Sequence, residues 1–331
     1  MRAAIVEAFG PAESHKFGDL PDPVPGPGEV LIDVHAAGVN FPDSLLVQGL
    51  YQVKPAFPFS PGRDAAGVVT AIGDGVTGVK PGDRVVTVYS FGAYAEKRVV
   101  MEERCFPLPD DVDFVTGAGM ATTYLTAWVA LMARGSYKPG EKILILGASG
   151  GVGLAAIQIA KAHGAFVVAG TTNPARSGAA LKESGADAVV CTTGDDIKES
   201  LRQEVFAATD GYGVDIVLDS IGGDLFMAAL RTLAFGGRHL AVGFIAGIPT
   251  ARVNYFNVKD ISLVGMGLDL HFKHQPRIIQ DAAADIFDLL SKGKIKPQVT
   301  DTYPVEEYTT ALARFGSNKS NGKMVLTTGR D

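Results

Sequence analysis

A glycine-rich turn between two apolar segments constrains this chain more than any other feature of its sequence. The apolar run Lys142–Leu146 predicts a buried β-strand, and the turn after it reads Gly147-Ala148-Ser149-Gly150-Gly151-Val152-Gly153. An apolar helix over residues 152–163 and a second strand over residues 165–170 are predicted to follow. Together these segments form a strand–helix–strand unit, which requires a parallel sheet with helices on its faces.

The spacing of the glycines in this turn indicates a dinucleotide site. Glycines let the chain reverse tightly and let its backbone approach a pyrophosphate, whose charge is met by free amides at the start of the next helix. The pattern is Gly-x-x-Gly-x-x-Gly, one residue longer than the strict fingerprint, but it lies between a strand and a helix as the motif requires. The residues predicted to contact the pyrophosphate are Ser149, Gly150, Gly151 and Val152. The alternative is a glycine-rich turn with no ligand.

The end of the second strand favours NADPH over NADH. An NAD site usually carries an acidic residue there, which binds the ribose hydroxyls and repels a 2′-phosphate. In this sequence the segment reads Gly170-Thr171-Thr172-Asn173-Pro174-Ala175-Arg176, without an acid. The hydroxyls of Thr171 and Thr172 can donate to a phosphate, and Arg176 can add a charge-assisted contact. The alternative for Arg176 is a solvated cation in the first turn of a helix.

Strands and helices continue to alternate after this unit, whereas the first 100 residues read as short β segments broken by Gly and Pro. The alternation predicts a doubly wound parallel sheet, and the first part of the chain predicts an irregular, barrel-like β domain. A chain of 331 residues is long enough for two such domains.

The composition favours a globular protein of the cytoplasm. Apolar residues make up 47% of the chain, and the net charge of −6 argues against nucleic acid or an anionic membrane as a partner. Cys105 and Cys191 form no Cys-x-x-Cys pair and no disulfide framework, which indicates a reducing compartment. We expect no signal peptide after Met1 and no apolar run near the roughly 20 residues that cross a bilayer.

Several further segments make the chain similar to a known family. They are Gly38-Val39-Asn40-Phe41-Pro42-Asp43, Gly49-Leu50-Tyr51-Gln52-Val53-Lys54-Pro55, Pro61-Gly62-Arg63-Asp64-Ala65-Ala66-Gly67-Val68-Val69, Val79-Lys80-Pro81-Gly82-Asp83-Arg84-Val85 and Asn321-Gly322-Lys323-Met324-Val325-Leu326. With the glycine turn, these segments resemble the medium-chain dehydrogenase/reductase superfamily and, within it, the zinc-free quinone oxidoreductases. The resemblance implies an α/β fold with a GroES-like irregular β-barrel catalytic domain over residues 1–118 and 268–331. A Rossmann NADPH-binding domain would occupy residues 119–267.

The same resemblance predicts that the chain binds no metal. In the alcohol dehydrogenases of the superfamily, a Cys stands near the position of Asn40, and a His and a Glu follow the glycine that matches Gly62. This chain has Arg63 and Asp64 there and lacks the four-cysteine lobe. Its two scattered cysteines and six histidines do not provide a closed zinc site. Without a Lewis acid, hydride delivery to an electron-poor carbon remains feasible, whereas oxidation of an unactivated alcohol is hard.

The resemblance also implies which residues hold the nicotinamide end of the cofactor. Thr126 would hydrogen-bond the carboxamide; the alternative is a helix hydroxyl bonded to its own preceding turn. The backbone that would line the ring's pocket belongs to Gly243, Phe244, Gly265, Met266 and Gly267. For Gly243 and Phe244 the alternative is a strand-end turn with a core aromatic. Asn318 lies where relatives contact the cofactor, although many carry a basic residue there.

Two residues near the start of the chain are candidates for catalysis. Reduction of a conjugated acceptor needs a proton or an electrostatic partner for the oxygen that becomes an enolate. By resemblance to enoyl-thioester reductases, Tyr51 is the predicted acid, and Asn40 orients it or binds the substrate oxygen. The alternatives are a tyrosine that packs a loop with its hydroxyl in water and an asparagine that caps backbone groups.

We therefore predict an NADPH-dependent reductase that passes hydride to a small electrophile, either a quinone or an α,β-unsaturated carbonyl compound. The resemblance implies a homodimer paired through the edge strand near residues 262–264. One alternative is an enoyl-thioester reductase, which would need basic groups for the phosphates of a carrier. The other is a non-catalytic nucleotide-binding protein with a structural or RNA-associated role, and the acidic net charge disfavours the RNA version.

Overall fold

The chain folds into two units, and each is built around its own β-sheet. The structure, a computed structural model, describes residues 1–316 and 322–330. One unit consists of Met1–Thr122 with Pro297–Asp331, and we call it the split unit. The other is the continuous segment Thr123–Lys296, which we call the central unit.

The strands and helices are numbered in chain order. The strands are β1 (Arg2–Ile5), β2 (Lys16–Asp19), β3 (Glu29–Val39), β4 (Asp64–Ile72), β5 (Arg84–Val88), β6 (Lys97–Met101), β7 (Cys105–Pro107), β8 (Lys142–Leu146), β9 (Phe166–Thr171), β10 (Ala188–Cys191), β11 (Val214–Asp219), β12 (Leu233–Ala241), β13 (Ser262–Gly265), β14 (Val299–Pro304) and β15 (Lys323–Thr327). The α-helices are α1 (Phe41–Val47), α2 (Phe114–Trp128), α3 (Gly151–Ala162), α4 (Pro174–Glu183), α5 (Ile197–Ala208), α6 (Gly223–Leu230), α7 (Asn254–Lys259), α8 (Leu268–His274), α9 (Pro276–Ser291) and α10 (Tyr308–Ala313). A π-helical turn over Val129–Arg134 extends α2.

The split unit contains a seven-stranded sheet in the order β14-β15-β3-β4-β5-β7, with β6 also paired to β3. Every pair is antiparallel except β14 with β15. Along β3 the apolar residues Val30, Ile32 and Val34 are fully buried and alternate with partly exposed ones, which is the period-two pattern of a half-buried strand. Two register shifts between β3 and β4 bend this sheet, as expected for an irregular barrel.

The central unit contains a six-stranded, wholly parallel sheet in the order β10-β9-β8-β11-β12-β13. Counted along the chain, this order is third, second, first, fourth, fifth, sixth, which is the doubly wound arrangement. Ile143, Leu144 and Ile145 of β8 are all fully buried. A strand with no exposed face is expected where helices cover both sides of the sheet.

The second boundary between the units differs from the expected one. The sequence analysis assigns residues 268–331 to the barrel domain, but the structure places the boundary after Lys296 and so keeps α9 in the central unit. The reason is a set of contacts within that unit. Asp285 of α9 accepts hydrogen bonds from Trp128 at 2.7 Å and pairs with His163 at 2.8 Å. The backbone of Lys296 exchanges two hydrogen bonds with the amide of Gln158.

One apolar helical segment is longer than the sequence analysis expects. Within the described residues, α2 and its π-helical extension form a 21-residue segment, Phe114–Arg134, that is long and apolar enough to cross a membrane by length and composition. The expectation that no apolar run approaches this length is therefore wrong. However, 72% of the most apolar 18-residue stretch of this segment is buried inside the protein, as expected for a core helix.

Candidate functional site

The loops predicted to hold the nucleotide follow the strands of the central sheet at their carboxyl ends. In a parallel sheet these ends lie along one edge, and ligands bind where the strand order reverses. Here the order reverses between β8 and β11, which are neighbours. A hydrogen bond from the hydroxyl of Ser220, after β11, to the carbonyl of Leu146, at the end of β8, joins the two strand ends at 3.3 Å.

The glycine turn forms the start of α3 at this reversal point. Gly150 is the N-cap, and the first bond inside the helix runs from the amide of Leu154 to the carbonyl of Gly150 at 2.9 Å. The amides of Gly151, Val152 and Gly153 therefore precede the first intrahelical bond, and such amides are donors for an anion. Ser149 lies in the turn just before them. The structure brings these predicted residues together.

Gly153 is required where the turn packs against itself. A Cβ atom at this position would lie 2.3 Å from the carbonyl oxygen of Gly147 and 2.6 Å from the Cα of Ala148. Both are backbone atoms, which cannot rotate away as a side chain can. The third glycine of the motif therefore allows the turn and the helix to pack closely, as a dinucleotide turn requires.

At the end of β9, the predicted phosphate ligands differ in how they are presented. Arg176 lies in the first turn of α4 with an exposed side chain, and Asn173 caps this helix by accepting a 3.0 Å bond from the Arg176 amide. Thr172 is also exposed. Thr171, in contrast, is buried, and its hydroxyl is hydrogen-bonded to that of Ser177 at 2.8 Å. Thr172 and Arg176 are thus open to a ligand, whereas the Thr171 hydroxyl is already engaged within the protein.

The loops after β12 and β13 lie on adjacent strands, as the prediction for the nicotinamide pocket requires. The amide of Gly243, just after β12, donates to the carbonyl of Asp219 at 3.2 Å, and Phe244 next to it is about half exposed. Gly265 ends β13, and the amide of Met266 donates to the carbonyl of Ala241 at 3.1 Å. Gly267, which follows, is the N-cap of α8.

Asp219 holds the turn between β11 and α6 in shape. One carboxylate oxygen accepts from the amides of Ile221 and Gly222 at 2.8 and 2.9 Å, and the other pairs with His239 at 3.0 Å. All these contacts lie within the protein, so Asp219 has a structural role. Thr126, the predicted carboxamide ligand, is buried in α2. Asn318 lies outside the described residues.

In the split unit, Asn40 belongs to a buried network of charged and polar side chains. Its amide nitrogen donates to Asp64 at 2.9 Å and to the carbonyl of Gly38 at 3.3 Å. Its amide oxygen accepts from the ammonium group of Lys323 at 2.6 Å. Lys323 also contacts Asp64 at 3.3 Å, and the hydroxyl of Thr122 donates to the other oxygen of Asp64. Both amide hydrogens of Asn40 are engaged, so the side chain has no donor left for a substrate oxygen.

Gly38 makes room for this network. A Cβ atom on Gly38 would lie 2.4 Å from the carbonyl oxygen of Ala118. It would also lie 3.0 Å from a carboxylate oxygen of Asp64. The sequence pattern does not single out Lys323 as a site residue. A lysine at the start of an apolar strand is also typical of a solvated strand end, and only its burial distinguishes the two cases.

A second buried pair lies next to this network. Asp43 and Tyr94 are both fully buried, and the Tyr94 hydroxyl donates to Asp43 at 2.8 Å. The same carboxylate oxygen accepts a hydrogen bond from the backbone N–H of Asn40. This bond is part of a capping box at the start of α1. Burial raises the pKa of Asp43 to about 6, and the nearby Asp64 charge acts in the same direction. Burial and the negative charge of Asp43 raise the pKa of Tyr94 well above its usual range.

Tyr51 lies in the loop that follows α1. It is partly buried against the core of the split unit, and the guanidinium of Arg63 lies over its ring at 5.9 Å from the centroid. A cation near the face of a phenol ring is attracted to it electrostatically. Tyr51, Asn40 and Arg63 thus belong to one region of the split unit.

Both units match known protein families. Residues 26–110 match the alcohol dehydrogenase GroES-like domain, and residues 151–277 match a family described as zinc-binding dehydrogenase. The chain is 34% identical to the quinone oxidoreductase of Mus musculus over 330 residues. This match covers 98% of this chain and 97% of that protein.

Two solved structures are similar over the same length. The quinone oxidoreductase of Escherichia coli, complexed with NADPH, gives a TM-score of 0.90 at 28% identity and covers 99% of this chain and 100% of that one. The CurK enoyl reductase gives a TM-score of 0.88 at 27% identity over 98% of both chains.

The sheets, the glycine turn and these matches define an oxidoreductase with a Rossmann domain and a GroES-like domain, so the predicted fold class is confirmed. The predicted family is confirmed as well. The chain belongs to the medium-chain dehydrogenase/reductase superfamily and, within it, to the quinone oxidoreductase family.

The description of the second matched family implies a zinc ion, which needs three or four Cys, His or carboxylate ligands. Among residues 1–316 and 322–330, no group of three or more His, Cys, Asp or Glu side chains is placed to hold a metal ion. The carboxylate of Asp64 is already bonded to Asn40, Thr122 and Lys323. The described residues therefore do not fit a zinc ion.

Proposed function

We propose that this chain is an NADPH-dependent reductase that transfers hydride to a quinone or an α,β-unsaturated carbonyl compound and uses no metal ion. The observation that carries the proposal is the arrangement at the edge of the central sheet. The backbone amides of Gly151–Gly153 at the start of α3 are available to bind a pyrophosphate. Arg176 and Thr172 are exposed at the end of the next strand, where the sequence has no acidic residue to repel a 2′-phosphate.

The residues of the central unit fit this cofactor in charge and in shape. The glycine turn would hold the pyrophosphate, Arg176 and Thr172 the 2′-phosphate, and Thr126 with the loops at Gly243–Phe244 and Gly265–Gly267 the nicotinamide. When bound, NADPH supplies the hydride. The protein's part is to fix the cofactor and the acceptor carbon close together and to exclude water.

Reduction of the acceptor also requires a proton. Hydride addition to an α,β-unsaturated carbonyl places negative charge on the carbonyl oxygen, and a protein acid or water then supplies a proton. We assign the acid role to Tyr51, whose hydroxyl would give that proton. Asn40, whose amide hydrogens are both engaged, has the orienting role rather than direct contact with the substrate. Hydride transfer to a quinone gives a hydroquinone anion, which can take the one proton that it needs from water, so quinone reduction depends less on Tyr51.

A second candidate activity is reduction of an enoyl thioester. The similarity to the CurK enoyl reductase favours it, since that protein has the same fold and is an enoyl reductase. The two reactions share hydride delivery to an electron-poor alkene and differ in the group attached to the carbonyl. A non-catalytic, nucleotide-binding role is the remaining alternative.

We also propose that the chain pairs as a homodimer through β13. This strand ends the central sheet, so one side of its backbone has no neighbouring strand in the described chain. Leu263 on β13 is 46% exposed, and Val258 in α7, the helix that precedes β13, is 78% exposed. An apolar edge strand left in water is a liability that pairing with a second copy removes.

One assay distinguishes these activities. The purified chain is mixed with NADPH or NADH, with and without EDTA, and oxidation of the cofactor is followed with a quinone, a cyclic enone and an enoyl thioester. We expect NADPH oxidation with the quinone or the enone and no effect of EDTA. Turnover of the thioester alone would favour the second activity. No binding of either nucleotide would refute the reductase assignment.

A further inference from the structure

Lys323 is a buried cation held between two oxygen acceptors of the split unit. Its side chain is 7% exposed, and Asp64, its ionic partner, is 0% exposed. The ammonium group donates to the amide oxygen of Asn40 at 2.6 Å and to a carboxylate oxygen of Asp64 at 3.3 Å. The Asn40 amide nitrogen donates to the same oxygen of Asp64 at 2.9 Å, which closes a ring of three side chains.

This ring determines how Asn40 is oriented. An asparagine amide can be turned by 180° with little change in shape, and its hydrogen-bond partners decide which end is the donor. Here the ammonium group can only donate and the ionised carboxylate can only accept, so the amide oxygen must face Lys323 and the nitrogen must face Asp64. The ring joins residues from β4, β15 and the N-cap of α1.

We propose that the ammonium group of Lys323 serves as a built-in structural cation bound by oxygen atoms of Asn40 and Asp64. In this role it positions Asn40 and the start of α1. Lys323 neutralises the buried charge of Asp64, which would otherwise be costly. The capping box between Asn40 and Asp43 then starts α1, which leads to the loop of Tyr51. Lys323 is thus a positioning residue, and its effect on catalysis rests on the proposed function.

Other charged groups are buried in the same region. Asp43, Arg63 and Arg98 are buried near Asp64. Arg98 uses its guanidinium to donate to the carbonyls of Arg63 and Phe91 and to the hydroxyl of Thr87. Lys323 contacts both Asn40 and Asp64 with its ammonium group.

A double-mutant cycle tests the pairing without any ligand. We expect Lys323→Met to lower the Tm by roughly 10 °C, because it leaves a buried carboxylate without its cation. Adding Asp64→Asn to Lys323→Met should recover at least half of that loss, since both charges are then gone. Lys292→Met, at an exposed lysine of the central unit, is the matched control and should leave the Tm unchanged.

Two results of the cycle would overturn the proposal. One is a Lys323→Met protein whose Tm stays within about 1 °C of the parent, against the shift expected for a broken buried pair. The other is a stability loss that Asp64→Asn does not reduce. If Lys323→Met yields no folded protein, the double variant decides, because a folded double variant supports the pairing and an unfolded one contradicts it.

Chemical rescue tests whether the site takes a cation as such. In Lys323→Ala the ammonium group and its chain are removed, which leaves the amide oxygen of Asn40 without its donor and Asp64 without its cation. We expect methylammonium to raise the Tm of this variant by a few degrees more than that of the parent, because a ligand that binds only the folded state stabilises it. Methanol, similar in size and uncharged, should not. Equal effects of the two additives would contradict the proposal.

The effect on catalysis is measured separately. With an enone as acceptor, Lys323→Met should lower kcat by about tenfold or more while the Kd for NADPH changes less than about twofold, since a misplaced catalytic group costs rate rather than cofactor affinity. Lys323→Arg, which keeps the charge, should recover part of the rate. An unchanged kcat would overturn the positioning of Tyr51, whereas the Tm experiments stand even if the chain reduces no enone.

Discussion

The phenol of Tyr94 donates a hydrogen bond to Asp43 in a place where neither side chain touches solvent. The oxygen Oδ2 of Asp43 accepts this bond and the one from the Asn40 amide, whereas Oδ1 has no hydrogen-bond partner in the part of the chain that the structure describes. Burial raises the pKa of this carboxyl to about 6. Protonation of Asp43 therefore falls within the range where enzymes are commonly assayed.

The raised pKa makes the stability depend on pH. The native state holds the proton to higher pH than the unfolded chain, so this contribution is complete below about pH 4, near the ordinary pKa, and is lost as the pH rises through about 6. Asp43→Asn keeps a neutral side chain at every pH. From pH 5 to pH 8, we expect the unfolding free energy of the parent to fall by about 1.5 kcal/mol relative to this variant. Urea denaturation at both pH values measures the unfolding free energy. The control is Asp111→Asn, at an exposed position, which should show the same pH dependence as the parent.

Arg176 is predicted to set the preference for NADPH. Arg176→Ala should weaken NADPH binding roughly 10- to 100-fold, because a charge-assisted contact to the 2′-phosphate is lost, and should change NADH binding less than about twofold. Titration calorimetry with both nucleotides measures the ratio. Arg277→Ala is the control, since Arg277 is an exposed arginine in the first turn of α9. Equal losses for both nucleotides would remove Arg176 from the phosphate site.

Gly153 is predicted to tolerate no side chain. Gly153→Ala places a Cβ 2.3 Å from the Gly147 carbonyl oxygen, so the turn must move away from its binding geometry. We expect NADPH affinity to fall at least about tenfold and the unfolding free energy to fall by about 2 kcal/mol. The control is Gly178→Ala in α4, where the nearest atom to the new Cβ is 3.9 Å away. That variant should be as stable as the parent or up to about 1 kcal/mol more stable.

Tyr51→Phe separates the two acceptor types. If Tyr51 donates the proton, the variant should reduce an enone about 100-fold more slowly and a quinone within a few-fold of the parent, because water can protonate the hydroquinone anion that hydride transfer produces. Steady-state kinetics with both acceptors test this, and Tyr212→Phe, at a half-exposed tyrosine of the central unit, is the control. Unchanged rates on both acceptors would remove Tyr51 from the mechanism.

The edge strand β13 gives a prediction about assembly. Leu263→Lys puts a charge on a half-exposed apolar position of this strand, and burying an unpaired charge between two copies is unfavourable. We expect the parent to elute as a dimer and the variant as a monomer in size-exclusion chromatography with light scattering. Val24→Lys, at an exposed position of the split unit, should remain dimeric. A monomeric parent would contradict the homodimer.

The predicted nucleotide site of the central unit is the part that the sequence predicts best. Strand β8 has the predicted bounds, and α3 and β9 lie within one residue of theirs. Here the turn, the apolar strand and the helix are adjacent in sequence, so local patterns determine them. Thr171 is the exception, because the sequence does not reveal that Ser177, six residues later in the chain, engages its hydroxyl.

The network around Asn40 in the split unit is harder to predict because its residues are far apart in sequence. Asn40, Asp64, Thr122 and Lys323 meet only after β3, β4, α2 and β15 have packed. No local period relates such positions. The boundary at Lys296 escapes prediction for the same reason, since it depends on contacts of Asp285 with Trp128 and His163 and of Gln158 with Lys296, and each contact joins residues more than 120 positions apart. The cytoplasmic location remains a prediction.

The position of β15 has a consequence for the order in which the chain can fold. This strand pairs with β3 through Met324 opposite Val39 and Thr327 opposite Ala36, across almost 300 residues. The whole central unit, Thr123–Lys296, is synthesised between these partners and is continuous. The central unit can therefore fold on the ribosome before the sheet of the split unit has received β14 and β15, and ribosome-bound nascent chains should acquire nucleotide affinity before the split unit is complete.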